Sequence, residues 1–569
     1  MNRRNISLAL SFLLLMSMNV VAQDKKVWAS GQARSILQNN GLELDSDTVT
    51  PKKLNGGHAL VDLAINAKPN SETFLHGMVR IRNDFGGFWG SGVSFDIRQL
   101  YVKGLINQSV RYQIGDINYK LSPYTFYNSD EELSQHQLEG LKIFQDLLHY
   151  DLFYNDDNTW RQQGVAVDFA LEFDKFAEEL EFNVFASRNR PSDFQQQSDR
   201  IFFGGNAHLK QSSSVELGVN YIDLMDLGGT SQSTTEFHNP VITGTTQFSL
   251  EKGNWDFKFN SESGISEMYE LNSGNNVLRD YFMDFGLTAT STKQGLSTKV
   301  QYINVGPQFR SIGAQTKRIN FGALNQLFGR YGSSQNVRSI NQLDMAQDAA
   351  IYNFQFNSTL DEYSPIYDNI SPYGQATPNR KGLVVMVNKS DSKERFNVAI
   401  AYSGLSEVVG QGGDDKRTFQ KVDADFLLHI DKFLKGYKQG LELSVGFDQG
   451  VTTRTTDIVA ANIDLKTTII DLGLKAGLHK NFEAIFNLRQ ITASGNELIP
   501  VRDLNTEVSD FQEFSTDLLE SMILLGVRYN FTEQNTLNVL WQKMTWDDKM
   551  TTNPAFGLSQ FAVVYNLTF

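Results

Sequence analysis

The last eleven residues, Ser559 to Phe569, read Ser-Gln-Phe-Ala-Val-Val-Tyr-Asn-Leu-Thr-Phe. Phe561, Val563, Tyr565, Leu567 and Phe569 share one parity, and Gln560, Ala562, Val564, Asn566 and Thr568 share the other. Alternate side chains of a strand point to opposite faces. One face here is apolar with aromatics near its end, and the other is mostly small or polar. That is the pattern of a strand with lipid on one side and water on the other. A soluble sandwich strand can alternate too, but it has less reason to close a secreted chain on an aromatic.

Secretion is read from the other end. Arg3 and Arg4 form a positive head, Ile6 to Met18 an apolar core, and Val20-Val21-Ala22 a short-residue approach to a cut before Gln23. The segment is short and runs into polar sequence, so residues 1–22 read as a signal peptide and not an anchor. Residues 23–569 then form one domain. The chain holds no Cys, which excludes a lipoprotein, disulfides and thiolate metal sites.

Removing residues 1–22 takes away two arginines and moves the net charge from −14 to −16. An acidic chain argues against nucleic acid as a partner. No further run of ~20 apolar residues exists, so no helix is expected to span a membrane. The mean hydropathy of −0.33 suits a soluble protein. A transmembrane barrel gives the same value, because half of each strand faces water.

The alternation recurs along the chain as strand pairs joined by short polar turns. Ile523, Leu525, Val527, Tyr529 and Phe531 share a face, Thr532 to Asn535 turns, and Leu537, Val539 and Trp541 continue that face. A second pair is Val165–Phe173 with Leu180–Ala186. Further turns fall at 68–72, 105–108, 211–213, 251–254, 291–295, 389–394, 431–440 and 479–481. Ten such hairpins, with single strands near Val27–Ile36 and at the C-terminus, give about 22 strands (range 16–24). The expected fold is all-β: one closed antiparallel transmembrane β-barrel, with short periplasmic turns and long extracellular loops. Long loops are expected at 118–160, 306–380 and 493–519. The first contains a capping box at Ser129–Glu132 before apolar residues Leu133, Leu138, Leu141, Phe144 and Leu148, which predicts a helix. A short helix is expected around Ile340–Ile351. Strand-like residues begin near Val27, leaving no space for an N-terminal plug, so these long connections are the candidates to fold inward.

With these features in hand, the chain resembles a bacterial outer-membrane β-barrel. Its length and its Asn/Gln/Phe-rich style, seen also at Tyr373–Arg380, resemble large barrels of Bacteroidota. The resemblance implies an outer-membrane location among lipid and lipopolysaccharide. It also implies that Phe561, Val563, Tyr565, Leu567 and Phe569 are the signal read by the barrel-insertion machinery. Other envelope proteins are conceivable partners.

Parity places Arg80, Arg82, Arg111, Asp168, Glu172, Glu181, Asp423, Asp425 and Glu442 on the water face, where rings of charge can set ion preference. The same residues can equally be solvated or mutually paired wall residues. No His-Glu-x-x-His, Gly-x-Ser-x-Gly or phosphate-loop spacing occurs, so no catalysis, metal or cofactor is expected. Two functions remain open. The preferred one is a porin-like channel for small hydrophilic solutes. The alternative is a non-conducting barrel serving an assembly, secretion or surface-protein complex.

Overall fold

The computed structural model describes residues 26–44, 52–85, 93–127, 138–153, 161–233, 235–271, 277–315, 342–347, 356, 360, 363–437, 439–502 and 508–569. The signal-peptide segment and the capping box lie outside the described residues.

Twenty-two strands form one antiparallel sheet. In chain order β1 to β8 are Val27–Leu44, Lys52–Ala67, Thr73–Asp84, Val93–Ile106, Val110–Asn118, Arg161–Glu172, Glu179–Arg190 and Arg200–Ser212. β9 to β15 are Val215–Asp226, Glu236–Lys252, Trp255–Leu271, Leu278–Ser291, Leu296–Val305, Arg380–Ser390 and Phe396–Ser406. β16 to β22 are Thr418–His429, Leu441–Arg454, Ile463–His479, Phe482–Arg502, Val508–Thr532, Asn535–Asp548 and Phe556–Thr568. Each strand pairs with the next, and β1 pairs with β22 from Gln32↔Thr568 to Leu44↔Phe556. Reciprocal bonds between Gly31 and Phe569 (2.8 and 3.0 Å) finish that seam. The sheet is a closed barrel.

The ten short turns expected from the sequence all join consecutive strands at one rim. Val27 and Phe569 lie at that same rim, and the Lys68 amide bonds the Lys26 carbonyl there. Local chemistry makes these turns. Asn107 and Gln108 both take positive φ (51° and 60°) in the β4–β5 hairpin, the geometry a tight right-twisted turn needs. The Asn70 side chain accepts from the amides of Glu72 and Thr73.

The faces alternate as the pleat requires. On β12, Tyr281, Met283, Phe285 and Leu287 are 39–50% exposed on the outside, while Phe282 and Asp284 between them are buried inside. The inner face is not uniformly polar. Met522, Leu524, Leu540, Met544, Ala562 and Val564 point inward and are buried. Helix α1 (Glu139–Phe153) covers them. Leu138, Leu141, Phe144 and Leu148 fall at helical spacing on its packed side.

One expectation needs correction. The loop read at 493–519 is largely ladder, since β19 runs to Arg502 and β20 starts at Val508. Leu498 to Val501 alternate poorly, but backbone pairing does not depend on alternation. At roughly 3.3 Å per residue, the 25 residues of β20 far exceed a ~30 Å hydrocarbon layer, so this hairpin stands above the wall. The described parts of the connections at 118–160 and 306–380 lie inside the bore, and no separate plug domain is seen among the described residues.

Depth-dependent cost follows from the outward face. Val219, on β9, is 50% exposed. Val219→Arg should lower unfolding free energy in lipid by about 2–4 kcal/mol. Leu250→Arg, on the same kind of outer position but beside a turn, should cost only about 0–1 kcal/mol. Urea titration in lipid vesicles reads both, and equal losses would mean that the outside is not a lipid face.

Candidate functional site: an anchored insert inside the bore

The first insert leaves β5 and packs Tyr119–Tyr127 against the wall. The Tyr124 hydroxyl donates to Asp284 (2.9 Å), and Ser122 donates to Glu262 (2.6 Å). Both acids sit midway along their strands, so the segment reaches deep into the bore. Around it Phe126, Phe185, Phe202 and Phe356 form an aromatic cluster with centroids 4.8–5.9 Å apart.

The same insert reappears on another sector of wall as α1. Its first residue, Glu139, meets Arg528 of β20 at 2.6 Å and Lys475 of β18 at 3.7 Å. Burial alone would raise the Glu139 carboxyl. Arg528 and Lys475 outweigh it and hold the group below its ordinary value. A depressed carboxylate adds stability above its unfolded pKa and loses it only as pH falls through the folded one. This anchor is therefore intact across pH 5–8. The Gly140 amide donates to the Asn487 side chain at 2.7 Å. A Cβ at Gly140 would lie 2.4 Å from both Asn487 and Leu524, so only glycine seats the helix this close.

The far end is held by a second cluster. Arg80 makes two 2.8 Å bonds to Asp62, and the Tyr150 hydroxyl donates to the same carboxylate. Arg98 donates to the Tyr150 carbonyl at 2.7 Å. The guanidiniums of Arg98, Arg80 and Arg34 lie 4.5, 5.5 and 5.8 Å from the Tyr150 ring centroid. Arg80, Arg98 and Asp62 are at most 1% exposed. Burial, and next the balance of Arg98 against Asp62, pushes the Tyr150 phenol well above its ordinary range, so it stays a proton donor.

The second insert is bonded to the first. Tyr127 donates to the Gly313 carbonyl at 2.9 Å, and Gln145 of α1 donates to the Gln347 carbonyl at 2.8 Å. Gln347 ends the short helix α2 (Gln342–Gln347). Arg489, paired with Asp471 at 2.7 and 2.8 Å, donates to the Ala346 and Gln347 carbonyls. Further along, Asn369 bonds Glu497 and Thr452. Glu497 and Glu407 share Arg417 (3.2 and 2.8 Å), all at most 2% exposed.

The sequence candidates are dispersed among these contacts. Arg80 lies in the Tyr150 anchor. Asp168 accepts from Tyr119 at 2.7 Å. Glu442 bonds Lys475 at 2.9 Å, beside Glu139. Arg82 pairs with Asp84 (2.9 Å), Arg111 approaches Glu181 (3.9 Å), and Asp423 pairs with Lys421 (3.2 Å). Glu172 lies opposite Glu179 in the ladder, and Asp425 is buried. They do not converge on one ring. Asp62, Arg98, Arg417, Glu407 and Glu497 were missed, although Asp62 stands between Val61 and Leu63 in an alternating run that parity counting can read. Among the described residues no group of three or more His, Cys, Asp or Glu is placed to hold a metal.

Because the native chain lacks Cys, a single Phe144→Cys reporter on α1 is clean. Asp62→Ala strands buried guanidiniums, a cost of about 3–5 kcal/mol. Thiol labelling of Cys at 144 should then rise at least tenfold. Unchanged labelling would show that the cluster does not hold the helix.

No family model matches the chain, and no curated protein matches it. Solved structures share the barrel architecture at low similarity. The Pseudomonas aeruginosa outer membrane protein OpdK is 9% identical over 95% of this chain and 99% of that one, with TM-score 0.37. OpdQ of the same organism is 10% identical over 96% and 98%, with TM-score 0.33. The copper transporter OprC is 9% identical over 94% and 80%, with TM-score 0.47. Values this low say nothing about what this chain carries.

Proposed function

We propose that the chain is an outer-membrane channel for small hydrophilic solutes, held closed at rest by its own inserts. The short-turn rim would face the periplasm and the long-loop rim the outside. The strand ending at Phe569 would be the segment read during insertion. The observation that carries this reading is the anchoring of α1 at both ends. Glu139 and Tyr150 are tied to the wall by charged and polar groups, and such wall groups tolerate water when a helix leaves. The lumenal charges, Arg80, Asp168 and Glu442 among them, would then line the opened path.

A second reading is favoured by a different observation. The apolar cluster around Phe126, Phe202, Phe282, Phe309 and Phe419 joins both inserts to the wall from β5 to β16. A seal of that kind suits a non-conducting barrel that serves an envelope complex.

Planar-bilayer recording separates the two. The native chain should be electrically quiet from pH 5 to 8. Glu139→Ala combined with Asp62→Ala should give stable, ohmic openings while the barrel still migrates as a folded, heat-modifiable species. A folded double variant that stays silent would overturn the channel reading and leave the sealed barrel.

A further inference from the structure

The two anchors of α1 sit in different surroundings. Around Glu139 the charges alternate along the wall: Glu442 to Lys475 (2.9 Å), Lys475 to Glu139 (3.7 Å), Glu139 to Arg528 (2.6 Å) and Arg528 to Glu483 (3.4 Å). His429 stands 3.7 Å from Glu442. The five side chains of this series, from Glu442 to Glu483, keep 18–28% of their surface in solvent. Around Tyr150, by contrast, Asp62, Arg80 and Arg98 keep at most 1%.

Depth in the bore accounts for the difference. Lys475 and Arg528 each lie four residues from the short-turn end of their strands, and Glu442 and Glu483 are the second residues of theirs. Asp62, Arg80 and Arg98 lie five, seven and eight residues in from the same rim. The first anchor opens toward the short-turn mouth, and the second is set deeper and closed to water. Mobile ions go where water goes. Their screening length falls from about 10 Å at 0.1 M to about 3 Å at 1 M, and it weakens wet pairs far more than dry ones. The apolar contacts do not separate the two ends, since Leu141 near Glu139 and Leu148 near Tyr150 are both buried. A difference between the ends under salt is therefore electrostatic.

We propose that α1 is a hinged lid. Rising ionic strength at the short-turn mouth frees its Glu139 end, while the Tyr150 end stays seated as the pivot. This rests on the reading that α1 closes the bore at rest. It adds which end yields, and to what signal.

The test places single reporters, Leu141→Cys or Leu148→Cys, in the full chain, which has no Cys of its own. Thiol labelling is followed in neutral detergent from low salt to about 1 M NaCl, with sucrose of matched osmolality as the control. Labelling at position 141 should rise about 3- to 5-fold, the modest worth of partly wet ion pairs, while labelling at 148 stays flat. Glu139→Gln beside Leu141→Cys should raise labelling at low salt and remove its salt dependence. Heat-modifiable migration checks that each variant is folded. Should Glu139→Gln fail that check, Lys475→Gln, which keeps the Arg528 pair, should halve the salt response or more. Equal rises at both positions would mean that the helix leaves as one body, and no rise at 141 that no ionic latch exists; either overturns the proposal. So does a sucrose effect as large as that of salt. Asymmetric labelling in a barrel that stays silent in bilayers upholds the hinge and sinks the channel reading.

Discussion

The ladder between β1 and β22 is the contact on which the remainder depends. An antiparallel sheet of this size has two edges, and each would present unpaired amides and carbonyls to lipid, where nothing can satisfy them. Pairing Gln32 through Leu44 with Thr568 back to Phe556 removes both edges together. The seam joins the first and last strands, so it is the ladder of greatest sequence separation in the sheet. The apolar exterior follows from closure, because once the edges are gone alternation alone decides what each strand shows to lipid and what it turns inward.

Closure also creates a problem. A ring of 22 strands is too wide for wall side chains to meet across the middle. This chain fills it with two strand-connecting inserts that fold back through the long-loop rim. Each brings polar groups to polar wall, as with Tyr124 to Asp284 and Asn369 to Glu497. Each brings apolar groups to apolar inward positions, as with Leu141 and Phe144 over Leu524 and Ala562. The wall and its filling are therefore matched in sequence although far apart in the chain.

Much of the architecture was legible because period-two alternation is a local signal. The short turns, the strand count and the parity of Arg80 and Asp168 all came from reading neighbours. The path of the inserts was not legible. Leu133–Leu148 has the spacing of an amphipathic helix, but the spacing does not say what the apolar side meets. Its partners, Met522, Leu524 and Val564, are apolar residues of the inward phase, and alternation alone does not say what covers them. Asp62 and Tyr150 are 88 residues apart, and nothing local joins them. The hairpin over 493–519 is illegible for the opposite reason. Its pairing is made by backbone, and its side chains, both faces wet above the membrane, have no need to alternate.

The two kinds of attachment have different consequences. A buried ion pair is a poor source of net stability, since desolvation offsets most of the attraction, yet breaking one side of it is costly. It specifies one position sharply. If the helix leaves, water returns to Arg528, Lys475 and Asp62 and repays much of that desolvation. Phe126 against Phe185, Phe202 and Phe356 has no such recovery, because exposing that cluster to water gains nothing. On the channel reading, the piece that moves is α1, whose polar anchors at Glu139 and Tyr150 recover water, although for the whole helix to leave, Leu141 and Phe144 must also leave Leu524 and Ala562, and Leu148 the aromatic cluster, with no such recovery. The aromatic packing that joins both inserts to the wall from β5 to β16 is then the fixed frame against which it moves.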